Sequence, residues 1–112
     1  MAIKKEQETQ TGVSVDFESV VVDIDTFNMY SASVSVTNGS TFTGTVAIEA
    51  TNNQDEGWVE VTGSSKALSG ATDLCIFDVT ETAMSYVRLA FVMTTGSADF
   101  KIDWTLKSTV RD

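Results

Sequence analysis

A chain of 112 residues with 42% apolar and 21% charged side chains is long enough for one domain with a real core and too apolar to be disordered. Its net charge of −9, from sixteen acidic against seven basic residues, argues against binding nucleic acid or an anionic membrane, since both are recognised by clustered Lys and Arg. No apolar run approaches the ~18 residues that span a bilayer; the lack of histidine and the single cysteine remove Ser-His-Asp and Cys-His catalysis, His- or Cys-based metal sites and any intrachain disulfide.

Residues 1–12 are polar and of mixed charge, with Ile3 as an apolar foothold. They read as an N-terminal arm outside a domain spanning 13–112. Ile3, Lys4 and Lys5 are then the residues expected to reach a neighbouring subunit, and deleting the arm is expected to weaken that contact without unfolding the domain. The opening segment has no apolar h-region, so the expectation is no secretory signal and synthesis in a host cytoplasm.

From Val13 onward the pattern has period two, as half-buried strands require. Val13, Val15 and Phe17 alternate with Ser14, Asp16 and Glu18. Val20, Val22 and Ile24 follow, then Tyr30, Ala32, Val34 and Val36 against a row of serines. Val46, Ile48 and Ala50 form the next stripe, and Val59 and Val61 another. Tyr86–Met93 is apolar on both faces except at Arg88, which predicts a central strand covered on both sides. Phe100, Ile102, Trp104 and Leu106 share one face of the last strand, opposite Lys101, Asp103 and Lys107. Asn38-Gly39 suits the positive φ angles of a tight hairpin turn, and Thr95-Gly96-Ser97 reads as a second hairpin. Longer polar loops are expected at 52–57 and 63–70, and one short helical turn within 80–85. About eight strands at this spacing predict an all-β fold: a single antiparallel β-sandwich or jelly-roll-like domain with a polar N-terminal arm.

Several residues carry chemistry in one reading and only structure in another. Cys75 lies in the apolar run Leu74–Phe77 and reads as a buried small hydrophobe. Arg88, in an apolar strand, needs a carboxylate partner. Asp16 and Glu18, like Asp23 and Asp25, point the same way along a strand. Two such strands side by side would gather four carboxylates of the kind calcium takes, although a solvated face explains the pattern equally well and the spacing of an EF-hand is absent. No metal or other cofactor is assigned. Asn52–Glu56 offers oxygen ligands but reads as a polar loop. Trp104 continues a core stripe. Trp58 follows a polar loop on the face opposite Val59 and Val61, which suits either an interface anchor or a plug at one end of the sandwich. Asn38-Gly39-Ser40 matches a glycosylation sequon and, without a secretory signal, reads as a turn. The chain also contains no proline, so edge strands rely on charge for protection or stay open to a partner.

An ordered series runs through the chain: GTVAIEATNN at 44–53, GWVEV at 57–61, SYVRLAF at 85–91 and TGS at 95–97. It resembles the β-sandwich domains of small structural proteins in tailed-bacteriophage virions, of decoration, neck and fibre type. The resemblance spans roughly residues 30–107 and carries no catalytic residue to transfer. It implies a non-enzymatic virion protein that binds capsid or tail proteins, with Ile3, Lys4, Lys5 and Trp58 as contact residues and a symmetric oligomer as the assembled form. Discoidin-like and carbohydrate-binding sandwiches use similar strand signals. The alternative is therefore a carbohydrate-binding module, with Trp58, Tyr30 and Tyr86 as candidate platforms. An enzyme would need a pocket with paired carboxylates, which is not expected.

Overall fold

Alternation in sequence becomes pairing in a computed structural model, which describes residues 2–80 and 82–108. The strands are β1 (Ala2–Val13), β2 (Phe17–Glu18), β3 (Val22–Asp23), β4 (Met29–Thr51), β5 (Val59–Glu60), β6 (Lys66–Ser69), β7 (Asp73–Val79) and β8 (Tyr86–Ser108). All are antiparallel in one hydrogen-bonded sheet, and no helix occurs among the described residues.

The sheet is built on two strands of 23 residues each, β4 and β8, which pair from Met29↔Lys107 to Thr51↔Tyr86. A straight strand of that length would extend about 76 Å at a rise of about 3.3 Å per residue. The molecule's longest dimension is 49 Å, so both strands fold over. Phe91 and Phe100 lie on either side of the bend in β8, yet their ring centroids are 5.0 Å apart. The bend converts one sheet into two facing layers. The first contains β1, the C-terminal half of β8, the N-terminal half of β4, and β7. The second contains β2 and β3, the other halves of β8 and β4, and then β5 and β6. Val34, Ile102 and Leu106 from the first layer meet Val46, Ile48, Val87 and Leu89 from the second in a sealed core.

The bends are the two segments expected as hairpins, and here the expectation is corrected. Asn38 (φ 52) and Thr41 (φ 48) kink β4, and Gly96 (φ 71) kinks β8. Both strands continue through their kinks, with register shifts around Ser40↔Ser97. Positive φ serves a bulge as well as a hairpin, and local sequence does not say which. Asp99 ties the corner together. Its carboxylate accepts hydrogen bonds from Asn38 Nδ2 (2.8 Å) and from the Gly12 N–H (2.7 Å). These two bonds, the Asn38 one foremost, hold the Asp99 carboxyl below its ordinary range.

Of the segment 1–12, expected as an arm, residues 2–12 run in strand β1 along β8, paired from Ala2↔Ser108 to Gln10↔Phe100. Most of its side chains are polar, so periodicity does not reveal it; the backbone ladder holds it in register, joined by side-chain bonds such as that from Gln7 Nε2 to Asp103 Oδ1 at 2.8 Å. Deleting it would strip the edge of β8, so the deletion cannot separate contact from folding. The helical turn expected within 80–85 includes residue 81, which lies outside the described residues; 82–84 carry no regular structure. Val15 and Val59, expected on apolar faces, are both exposed.

Two buried serines repair interruptions in the second layer. Between β2 and β3, the Leu89 N–H donates to Ser19 Oγ at 2.8 Å, and the Ser19 N–H donates to the Leu89 carbonyl at 2.8 Å. Between β5 and β6, the Ile48 N–H donates to Ser64 Oγ at 3.0 Å. Ile48 and Leu89 are themselves partners across the β4–β8 pair. One rung of the sheet thus ends in a hydroxyl on each side, which keeps buried backbone groups satisfied where the flanking strands break.

The kink at Gly96 has no room for a side chain. A Cβ there would run into the Ser40 carbonyl oxygen and the Thr41 backbone, at a φ that disfavours L residues. Gly96→Ala is expected to lower unfolding free energy by about 2 kcal/mol, read as a reduced urea midpoint with an unchanged slope.

Candidate functional site

On the outer face of the second layer, Arg88 stands opposite Glu49 in the β4–β8 register. Its Nε donates to Glu49 Oε1 at 2.8 Å, and its Nη2 lies 3.8 Å from Glu18 on β2. The guanidinium also covers the Trp58 ring, 4.3 Å from its centroid. Arg88 therefore has the carboxylate partner expected of it, together with an aromatic contact that the sequence did not signal. Trp58 is half-buried, one face of its ring shielded by the guanidinium. Beside it Val59 is 71% exposed.

The four residues expected to contact a partner do not form one patch. Ile3, Lys4 and Lys5 lie on β1, at one end of the sheet order, and Trp58 precedes β5 at the other. Ile3 is exposed, opposite Lys107. Lys4 turns to the opposite face of β1 and pairs with Glu6 at 3.1 Å. The candidate aromatic platforms are likewise dispersed. Tyr30 is buried beside Trp104, with ring centroids 5.9 Å apart, and burial pushes its hydroxyl up to about 12. Tyr30 is therefore no platform.

The carboxylates at 16, 18, 23 and 25 are not brought together. β2 and β3 lie end to end along β8 rather than side by side, with Glu18 opposite Ala90 and Asp23 opposite Tyr86. Asp16 accepts from the Met93 N–H (2.8 Å), Glu18 faces Arg88, and Asp25 accepts from Ser85 Oγ (2.9 Å). Among the described residues no group of three or more acids or cysteines could hold a metal ion.

The feature that periodicity missed is an edge. β7 pairs only with β4, so its other side is open. Leu74 and Ile76 point outward there, each 58% exposed, next to the Ser33 and Ser35 rows of β4. Residues 73–79 contain no Lys or Pro, the residues that usually blunt an edge. Cys75 turns the other way and packs half-buried against the core, less enclosed than its apolar run implied. The signal was present: a short apolar run with acidic ends reads as a buried strand or an open edge with equal ease.

Comparison with known proteins finds no matching protein family and no matching curated protein. Solved structures do share the fold. A prophage-derived protein, YomS of SPBc2, is similar over 95% of each chain with 14% identity and a TM-score of 0.50. The empty virus-like particle of Cowpea Mosaic Virus contains a chain similar over all of this one and 86% of its own, at 7% identity and a TM-score of 0.52. A CBM4 carbohydrate-binding module is similar over 78% of this chain and 56% of its own, at 15% identity and a TM-score of 0.52. At these identities the likeness is one of fold, a jelly-roll-like β-sandwich of the kind used by structural and binding modules.

Four outcomes follow from this geometry. Arg88→Ala leaves Glu49 without its partner and uncovers Trp58, and is expected to cost about 2 kcal/mol in urea unfolding. Arg88→Lys should recover less than half of that, because an ammonium lacks the fork and the stacking plane. Glu18→Gln should change little, since that contact is long and exposed. Separately, burial pushes the Cys75 thiol up to about 11, with Lys66 opposing and Asp73 adding to the shift. Alkylation of the native protein by iodoacetamide should therefore be slow at neutral pH and rise about tenfold per pH unit up to that value. A rate that levels off near pH 9 would contradict the burial.

Proposed function

We propose that this chain is a non-enzymatic structural protein of a phage-type virion, which joins a protein lattice through the open edge of β7. The observation that carries the reading is that edge: unpaired backbone and two exposed apolar side chains, with no Lys or Pro in the strand and its charges confined to Asp73 and Asp78. A β-strand of a neighbouring subunit fits it. Main-chain hydrogen bonds extend the first layer, and Leu74 and Ile76 bury against the incoming strand. The capsid or tail proteins of the particle are the partners, and the assembled form is a symmetric oligomer. The acidic surface keeps the unassembled protein soluble. Similarity of fold to a prophage protein and to a virus particle chain supports this reading, as do the strand signals at 44–53, 57–61, 85–91 and 95–97.

Light scattering on purified protein tests it. The native chain is expected as a closed oligomer, and Ile76→Lys as a folded monomer, because the side chain is outside the core. A native monomer that also fails to bind isolated particles would remove the edge from consideration.

A further inference from the structure

The open edge of β7 is complementary to itself. The strand runs Asp73–Val79, and β4 covers one of its two margins. Every strand pair of this sheet is antiparallel. Two copies of one strand extend such a sheet when a two-fold axis stands perpendicular to it, because that axis keeps inner side chains inner and outer ones outer. The contact is then isologous and closes on itself.

Faces alternate along a strand, so the axis must pass through a residue and not between two. Three positions bring the exposed apolar side chains into the contact. With the axis on Ile76, Ile76 meets its own copy, but Leu74 falls opposite Asp78 on both sides. With the axis on Leu74, Leu74 meets its copy, and Ile76 falls opposite Thr72, outside the strand. With the axis on Cys75, Leu74 falls opposite Ile76 twice, and neither meets a polar residue. Cross-strand apolar pairs are the unit of sheet stabilisation, so this register is preferred.

The charges agree with it. On the inner face the same register sets Asp73 opposite Phe77. The Phe77 ring carries the Lys66 ammonium, 5.4 Å from its centroid. Lys66 also lines a recess of about 210 Å³ beneath the edge, between Phe77 and Val79 of β7 and Val61 and Ser64 of the second layer. Asp73 turns to that side, where its carboxylate accepts from the Ser69 N–H of β6 at 2.9 Å. Each copy thus brings an acid to the other's cation. Asp78 falls opposite Thr72, so no two acids are opposed.

The other open edge of the layer is a poorer match. On its outer face β1 offers one apolar residue, Ile3. Set opposite Ile76, it would place Glu6 against Asp73. Set opposite Leu74, it leaves Ile76 beyond Ala2, where β1 begins. We infer that the strand received by β7 is β7 of a second copy, paired about a two-fold axis through Cys75, with Leu74 opposite Ile76 and Asp73 beside the partner copy's Lys66. The inference rests on the reading of β7 as the joining edge and adds which strand meets it.

Cys75 on the axis makes the register readable. Opposed residues of antiparallel strands lie about 4.5 or 5.5 Å apart at Cα, and a disulfide spans about 4.4–6.8 Å. The full chain is treated with copper phenanthroline in air, which takes one hydrogen from each of two thiols and passes both to oxygen. Products are read by non-reducing electrophoresis. Ile76→Lys, which keeps the cysteine, supplies the rate of cross-linking by collision. The native chain is expected to form a covalent dimer at least about tenfold faster, because pairing raises the local thiol concentration. Since the Cys75 thiol is half-buried, Leu74→Cys and Ile76→Cys, each combined with Cys75→Ser, move it to the exposed face. Co-expressed, these two variants should cross-link to each other. Alone, each holds its thiols on a diagonal of about 7–8 Å and should cross-link slowly. Cross-linking by the co-expressed pair supports the register even where the native thiol reacts slowly. Fast cross-linking of either variant alone moves the axis off Cys75 and overturns it. Light scattering separates this inference from the reading beneath it. A closed oligomer that Ile76→Lys dissolves, with no cross-linking above the collisional rate, overturns the β7–β7 contact and keeps the edge as a joining surface. A native monomer overturns the contact as well, and its binding to isolated particles then decides whether the edge reading survives.

Discussion

The pairing of β4 with β8, and the requirement that both bend at the same level, is the constraint on which the rest of the molecule depends. Each strand is too long for a molecule of this size to hold straight. Folding the pair at Ser40↔Ser97 brings Phe91 onto Phe100 and places Phe42 edge-on to Phe100 at 5.5 Å. Phe17 completes the group, stacked on Phe91 at 4.4 Å. This aromatic cluster sits inside the crease. It makes the bend a site of burial rather than of strain alone, so the positive-φ residues outside it are offset by apolar contact within. Because nearly every pairing joins distant parts of the chain, closure of the crease must await long-range encounters, and slow folding is the natural consequence.

Where the sequence was legible, one physical rule was enough. The stripes Tyr30–Val36 and Phe100–Leu106 alternate cleanly and are buried as alternation requires. Arg88 among apolar neighbours announced a carboxylate, because an unpaired cation there is untenable. Where the sequence misled, two structures satisfied the same local rule. Asn38-Gly39 and Thr95-Gly96-Ser97 permit positive φ, which a hairpin and a bulge both use, and only the partner strand decides between them. β1 was hidden for another reason. Its pairing is a property of backbone groups that every residue carries, so polar side chains did not betray it.

The candidate sites repeat that division. Alternation placed Trp104 in the core and was right, but it reports a face and not a hydrogen-bond partner. That its buried indole N–H has no partner among the described residues therefore became visible only in the folded chain. Trp58 was singled out for its position after a loop. Its contact with Arg88 comes from a strand 30 residues further along the chain and had no local signature. The acidic residues at 16–25 show the reverse case, where a suggestive spacing dissolved because β2 and β3 follow one another along the same strand.

The two buried serines have a consequence beyond satisfying backbone groups. By ending a rung of the second layer in side-chain hydroxyls, Ser19 and Ser64 leave both margins of that layer as short, broken pieces. The margins of the first layer, β1 and β7, run unbroken. A sheet accepts a further strand most readily along a continuous margin, so the open backbone of this molecule lies at the two edges of one layer and not of the other. Those two edges differ in character: β1 is almost wholly polar, whereas β7 sets Leu74 and Ile76 between Asp73 and Asp78.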